Sequence, residues 1–100
     1  MRTYYVYMLL CFDGTYYVGV TNNVDRRFWE HCEGINPECY TYTRRPLFLK
    51  YSGEFRYIDG AINFEKKLKS WSHAKKRAFA EGRWDVYRKV SKGKQVRPRT

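Results

Sequence analysis

The sequence predicts an α+β domain: a small three-stranded antiparallel sheet flanked by helices, in the order ββαβαα. Three observations carry this. Apolar residues alternate on both sides of Asp13-Gly14, apolar stripes of helical period occupy 24–32 and 61–71, and LFLKYSGEF between them reads as a third strand. One hundred residues make a single domain with one modest core. The 43% hydrophobic and 19% aromatic content is that of a globular chain. No apolar run approaches the roughly 20 residues of a membrane span, and the N-terminus lacks a signal-peptide pattern.

The first two strands lie in TYYVYMLLCFDGTYYVGV, residues 3–20, which hold five of the ten tyrosines. A two-residue Asp13-Gly14 loop would mix Val6, Met8 and Leu10 with Tyr17, Gly19 and Thr21. A three-residue loop, Phe12-Asp13-Gly14 with Gly14 left-handed, sorts the arms better. Val6, Met8, Leu10, Tyr16, Val18 and Val20 then share one face. Tyr5, Tyr7, Leu9, Tyr17, Gly19 and Thr21 share the other, less apolar face. A one-residue slip would exchange the faces, so the cleaner sorting sets the register. It puts Tyr7 directly across from Gly19, with Tyr17 beside it. Two phenols over a glycine gap suit an aromatic cross-strand cluster as well as a site.

Asn22-Asn23 before VDRRFWEHC reads as an N-cap and a short helix, with Asp25 in the first turn. Val24, Phe28 and Cys32 form its apolar stripe, and Arg27 and His31, four apart, share a face at the stripe's edge. Residues 33–46 read as a loop, punctuated by Gly, Asn and Pro. After the third strand, Asp59 is the expected cap of a helix over roughly 60–71, with the stripe Ala61, Phe64, Leu68 and Trp71. Glu65 borders that stripe. Ser72 caps a third helix, HAKKRAFAE, that ends at Gly82. Residues 1–82 therefore make the domain, and 83–100 a basic extension.

Net charge is +10, with pI near 9.7. Residues 66–77 carry six basic side chains and no acid, and residues 83–100 carry seven against Asp85 alone. Nucleic acid is the first polyanion such a chain would meet, an anionic membrane surface the second. Arg44, Arg45, Lys66, Lys69, Lys75 and Lys76 are the candidate phosphate contacts. Cys11, Cys32 and Cys39 are an odd number without CxxC spacing, as expected of reduced thiols in a cytoplasmic protein. His31, Cys32 and Cys39 fit no zinc-ligand spacing.

Taken together, these residues resemble the GIY-YIG nuclease family. Tyr5-Val6-Tyr7 stands for the first motif and Tyr17-Val18-Gly19 for the second. Arg27 follows Tyr17 by ten residues, His31 lies one turn further on, and Glu65 falls on the helix after the third strand. The likeness spans about residues 4–80 and is similar to the small standalone bacterial members, which share the TRRP segment and the WS-x-AKK stretch at Trp71–Lys76. The N-terminal nuclease module of the bacterial excinuclease is related. Tyr5 replaces the first glycine of the family name, and Val20 stands where that excinuclease module has a lysine.

The resemblance implies a metal-dependent endonuclease acting on DNA, structured or damaged DNA included, with a role in DNA repair. RNA remains open as a substrate, and no obligatory protein partner or membrane is implied. Glu65 would bind a single Mg²⁺ (or Mn²⁺), which commonly takes one or two carboxylates plus water and substrate oxygens. Arg27 would offer a planar fork to non-bridging phosphate oxygens. The family base is placed at either tyrosine. Tyr17 is the preferred assignment on the sequence, with Tyr7 orienting water and phosphate and His31 accepting a phenol proton. The alternative is a nucleic-acid-binding module of the same fold with little or no cleavage.

Overall fold

The turn at Asp13 sets the register of the whole sheet. In the computed structural model, which describes residues 2–82, the Cys11 N–H donates to the Thr15 carbonyl at 2.8 Å and the Gly14 N–H to the Cys11 carbonyl at 2.9 Å. Gly14 has φ +87°. The loop is therefore Phe12-Asp13-Gly14, pinned by the Asp13 carboxylate, which accepts from the Thr15 N–H at 3.1 Å and hydroxyl at 2.7 Å. Strand β1 (Tyr4–Cys11) pairs with β2 (Tyr16–Thr21) so that Tyr7 faces Gly19 and Met8 faces Val18.

β3 (Leu47–Phe55) pairs antiparallel with the other edge of β1, giving the order β2-β1-β3. Met8 faces Tyr51 while Leu9 faces Leu49, so Lys50 is an extra residue in a bulge. The bulge keeps Leu47 and Leu49 on one face and Tyr51 and Gly53 on the other. Helix α1 (Val24–Glu33) follows β2, while α2 (Ile58–Ser70) and α3 (His73–Ala80) follow β3. The connection expected to be loop throughout contains one 3₁₀ turn, Tyr42–Arg44.

Each face of the sheet has its own core. Val6, Met8 and Val18 pack with Ala61, Leu68, Trp71, Ala78 and Phe79 from α2, its C-cap and α3. On the reverse face Tyr7, Leu9, Cys11 and Leu47 pack with Tyr17 and with Phe28 of α1. Full burial of Met8, Leu9 and Leu68 contributes about 1.5–3 kcal/mol each.

Three sequence expectations change. The reverse face is less apolar, yet Tyr7 is 1% and Leu9 0% exposed, because a helix covers it. On α1 the buried residue is His31, and the Val24, Phe28 and Cys32 stripe is only half-buried. Two hydrogen-bonding partners offset the cost of burying that imidazole. Asp59 lies in the first turn of α2 and does not cap it: the helix begins earlier, with Tyr57 as an N-cap lacking a side-chain hydrogen bond. The Ser72 cap of α3 is present, its hydroxyl accepting from the Lys75 N–H at 3.2 Å. The basic extension expected over 83–100 lies outside the described residues. No helix among the described residues is long and apolar enough to cross a membrane.

Candidate active site

Gly19 has no side chain because the Tyr7 ring occupies that space. A Cβ there would lie 2.5 Å from the Tyr7 hydroxyl and 2.6 Å from its Cζ. Lying across β2 in this way, the ring carries its hydroxyl to His31 Nε2 at 2.9 Å. Helix α1 delivers His31 from the other side, held at its N-terminus by Asn23, whose side chain accepts from the Arg26 N–H at 3.0 Å. The Tyr17 ring completes the cluster, 6.3 Å from the Tyr7 ring and 5.1 Å from His31 between centroids.

His31 Nδ1 lies 2.8 Å from the Thr41 hydroxyl, and that hydroxyl donates to Cys39 Sγ at 3.4 Å. Cys39 Sγ is also 3.8 Å from Nδ1. One turn before His31, Arg27 donates to Glu30 at 3.0 Å. The same guanidinium is close enough to Tyr7 for its charge to act on the phenol. A cavity of about 30 Å³, lined by Arg27, His31, Cys39 and Thr41 among others, adjoins the cluster, with room for about one or two waters.

The electrostatics follow from burial. Burial pushes the Tyr7 phenol well above its usual range, and Tyr17 adds to this while Arg27 opposes it. Burial raises Tyr17 too, with Cys39 adding to it and Arg27 and Lys69 opposing. Burial and the Arg27 charge push the His31 imidazole down to about 4, against a smaller pull from Glu30, so at neutral pH it is uncharged and can accept a proton. For Cys39 burial alone would raise the thiol, but hydrogen bonds from Thr41 and Tyr17, with the Arg27 charge, bring it below its usual range.

Tyr7, Tyr17, Arg27 and His31 thus converge. Glu65 stands apart from them: it is on α2, which packs on the opposite face, and it pairs with Lys69 at 3.1 Å. Lys69 is the link, since its charge also acts on the Tyr17 phenol. The arrangement wraps the β2 edge of the sheet. Among the described residues no group of three or more His, Cys, Asp or Glu side chains could hold a metal ion. A single half-buried carboxylate suits Mg²⁺, which keeps much of its water shell, but Lys69 must give way. Cys11, Cys32 and Cys39 are all free thiols.

The six candidate phosphate contacts divide. Arg44 and Arg45 are engaged within the chain. Arg44 pairs with Asp13 at 2.9 Å, donates to the Tyr40 carbonyl at 2.8 Å and lies over the Tyr40 ring. Arg45 donates to the Tyr42 carbonyl at 2.9 Å and the Cys32 carbonyl at 3.4 Å. Both tie the 34–46 connection to the body of the domain. Lys66 is exposed on α2, while Lys75 on α3 lies over the Trp71 ring at 4.2 Å. Burial and the Lys69 charge lower Lys76, so Lys69 and Lys76 form one basic rim. The sequence reading missed Thr41 altogether and weighed Cys39 only as a reduced thiol or a metal ligand. Neither carries a local signal, since both meet His31 through the fold of a loop.

A family model described as the GIY-YIG catalytic domain matches residues 3–78. Similar curated proteins include a UPF0213 protein of Natronomonas pharaonis, 42% identical over 73% of this chain and 85% of that protein. Another, from Staphylococcus haemolyticus, is 36% identical over 83% of this chain and 100% of that protein. Two solution NMR structures are similar. One is of the UPF0213 protein BH0048 from Bacillus halodurans, with TM-score 0.52 and 34% identity, covering 89% of this chain and 97% of that one. The other is of the protein EF2693 from E. faecalis, with TM-score 0.55 and 26% identity, covering 100% and 97%.

Proposed function

The chain belongs to the GIY-YIG family of nucleases, and from that premise we propose that it is a metal-dependent endonuclease hydrolysing phosphodiester bonds in DNA, structured or damaged DNA foremost. One observation carries the reading: the buried Tyr7 hydroxyl lies 2.9 Å from Nε2 of an uncharged His31, with the Arg27 charge acting on the same phenol. Tyr7 rather than Tyr17 is therefore the better base. As water attacks phosphorus, its proton passes to the Tyr7 oxygen and the phenol proton passes to His31 Nε2. Arg27 is placed to spread over the non-bridging oxygens, where charge accumulates. A phosphodiester beside Arg27 also brings negative charge that favours the imidazolium. Tyr17 packs against both members of the pair and holds their rings in place.

Glu65 would hold the divalent ion, Mg²⁺ or Mn²⁺, which when bound supplies positive charge against the phosphate and the departing oxygen. Lys69 and Lys76, with Lys66 and Lys75, form the basic surface offered to the phosphates. Residues 1–82 are the catalytic unit and 83–100 an extension that adds charge for binding. Free thiols suit a reducing cytoplasm.

The alternative, a binding module that cuts little or not at all, is favoured by the Glu65–Lys69 pair, which occupies the proposed metal ligand. Labelled single-stranded, duplex, flap and junction DNAs, with RNA controls, incubated with Mg²⁺ or EDTA, separate the two. Cleavage of at least one DNA in Mg²⁺ and none in EDTA supports the nuclease. Tight binding without products under either condition supports the module.

A further inference from the structure

We propose that Thr41 is a positioning residue of this site: its hydroxyl fixes His31 in the Nδ1–H tautomer, leaving Nε2 to accept the Tyr7 proton. The inference rests on the Tyr7–His31 reading above and names the group that sets the imidazole proton. Thr41 is 1% exposed, so each of its polar contacts must be satisfied inside the protein.

The tautomer follows from counting hydrogens at both ends of the chain of contacts. A threonine hydroxyl has one hydrogen and two lone pairs. That hydrogen goes to Cys39 Sγ at 3.4 Å, so the hydroxyl presents a lone pair to His31 Nδ1 at 2.8 Å. Nδ1 must then carry a hydrogen. At the far end, Tyr7 is 1% exposed, and His31 Nε2 is the hydrogen-bond partner the fold gives its hydroxyl. The phenol hydrogen is thereby turned to His31 Nε2 at 2.9 Å, which must be bare. Both ends require the same form. In the opposite tautomer the Tyr7 oxygen would accept from His31, stranding its own hydrogen in a site where Tyr7 is 1% exposed.

The two arginines that tie the loop down serve this placement. Arg44 and Arg45 fasten the segment after Thr41 to Asp13 and to the Cys32 carbonyl, and hold the Tyr40 and Tyr42 carbonyls on either side of it. Thr41 touches neither water nor phosphate in the reaction, and acts through His31.

The test combines ¹⁵N-histidine NMR of the full chain with single-turnover cleavage. His73 is an internal reference: its Nε2 lies 2.8 Å from the Gly14 carbonyl, which can only accept, so it carries the opposite tautomer. In the wild type and in Thr41→Ser, His31 should show protonated Nδ1 and bare Nε2. In Thr41→Val that pattern should be lost from His31 while His73 keeps its own. Cleavage at saturating DNA should fall about 10- to 100-fold in Thr41→Val, the range known for residues that orient a ligating imidazole, and recover in Thr41→Ser. Should Thr41→Val unfold, seen as loss of the His73 pattern, Thr41→Ala is read in its place. A wild-type His31 protonated at Nε2, or a variant that keeps Nδ1–H without the hydroxyl, would overturn the proposal. A tautomer change without a change in rate would overturn it too. Absence of cleavage by the wild type would sink the nuclease reading instead, and the NMR arm would still decide the role of Thr41.

Discussion

Gly19 shows how little room a single residue can have. Alanine there would put a methyl group where the Tyr7 hydroxyl now lies. We expect Gly19→Ala to destabilise the domain by about 1–3 kcal/mol and, by moving the phenol off His31, to slow cleavage by about 100-fold or more. Urea titration and single-turnover rates measure the two effects; an unaltered rate would detach Tyr7 from the chemistry. For Glu65→Gln, which keeps the volume and removes the charge, cleavage should be lost while the circular dichroism spectrum is kept. Full Mg²⁺-dependent cutting by that variant would remove Glu65 from the mechanism. His31 makes a prediction about stability. Its imidazole takes up a proton near 6.5 when unfolded but only near 4 when folded. Between those values the unfolded chain binds more protons, so the stability due to a neutral His31 is complete above pH 6.5 and falls as pH drops towards 4, by up to about 3 kcal/mol. His31→Gln should flatten that part of the profile in urea titrations at pH 7 and 4.5; an equal acid loss in both proteins would contradict the shift.

At the scale of elements, legibility depended on how local the determining contacts are. The first hairpin was legible because residues three apart fix the loop and alternation fixes the register, and β3 was legible from one uninterrupted run. The pairing of β1 with β3, the bulge at Lys50 and the burial of His31 depend on contacts across the chain that no local pattern encodes. The same holds for the site: Tyr7, Tyr17, Arg27 and His31 could be singled out, whereas Thr41 is ten residues from His31 in a loop. The start of α2 misled for a different reason. Asp59 is an excellent cap by type, but the carbonyl of Tyr57 already accepts from the Ala61 N–H at 3.2 Å, so the helix begins ahead of Asp59, which serves the first-turn dipole. The cap position is thus filled by a residue that cannot cap. Tyr57 is 70% exposed, so its ring has little burial to lose. Tyr57→Asp should stabilise the domain by about 0.5–1 kcal/mol and raise Tm by a few degrees. A lower Tm would mean that the Arg56 contact with the Tyr57 ring outweighs a cap.

For the whole molecule the issue is where a charge of +10 acts. Several cations of the described residues are paired internally: Arg44 with Asp13, Arg77 with Glu81 and Lys69 with Glu65. Removing Arg44 or Arg45 should therefore loosen the loop that carries Thr41, and confuse binding with catalysis. The extension is a better probe of phosphate contact, because residues 88–100 supply Arg88, Lys89, Lys92, Lys94, Arg97 and Arg99 and no acid, while every group proposed for the chemistry lies before residue 70. Truncation after Lys89 removes four of the six charges and spares Trp84, Val86 and Tyr87, the apolar residues at the start of the extension. If those four meet phosphates, the shortened chain should bind all DNAs more weakly, and the slope of log K against log salt should flatten by roughly one unit per lost contact. The rate at saturating DNA should stay the same. A slower rate at an unchanged slope would place the extension at the site instead, and an unchanged slope with unchanged rate would leave DNA binding to the rim of Lys69 and Lys76 beside Tyr17.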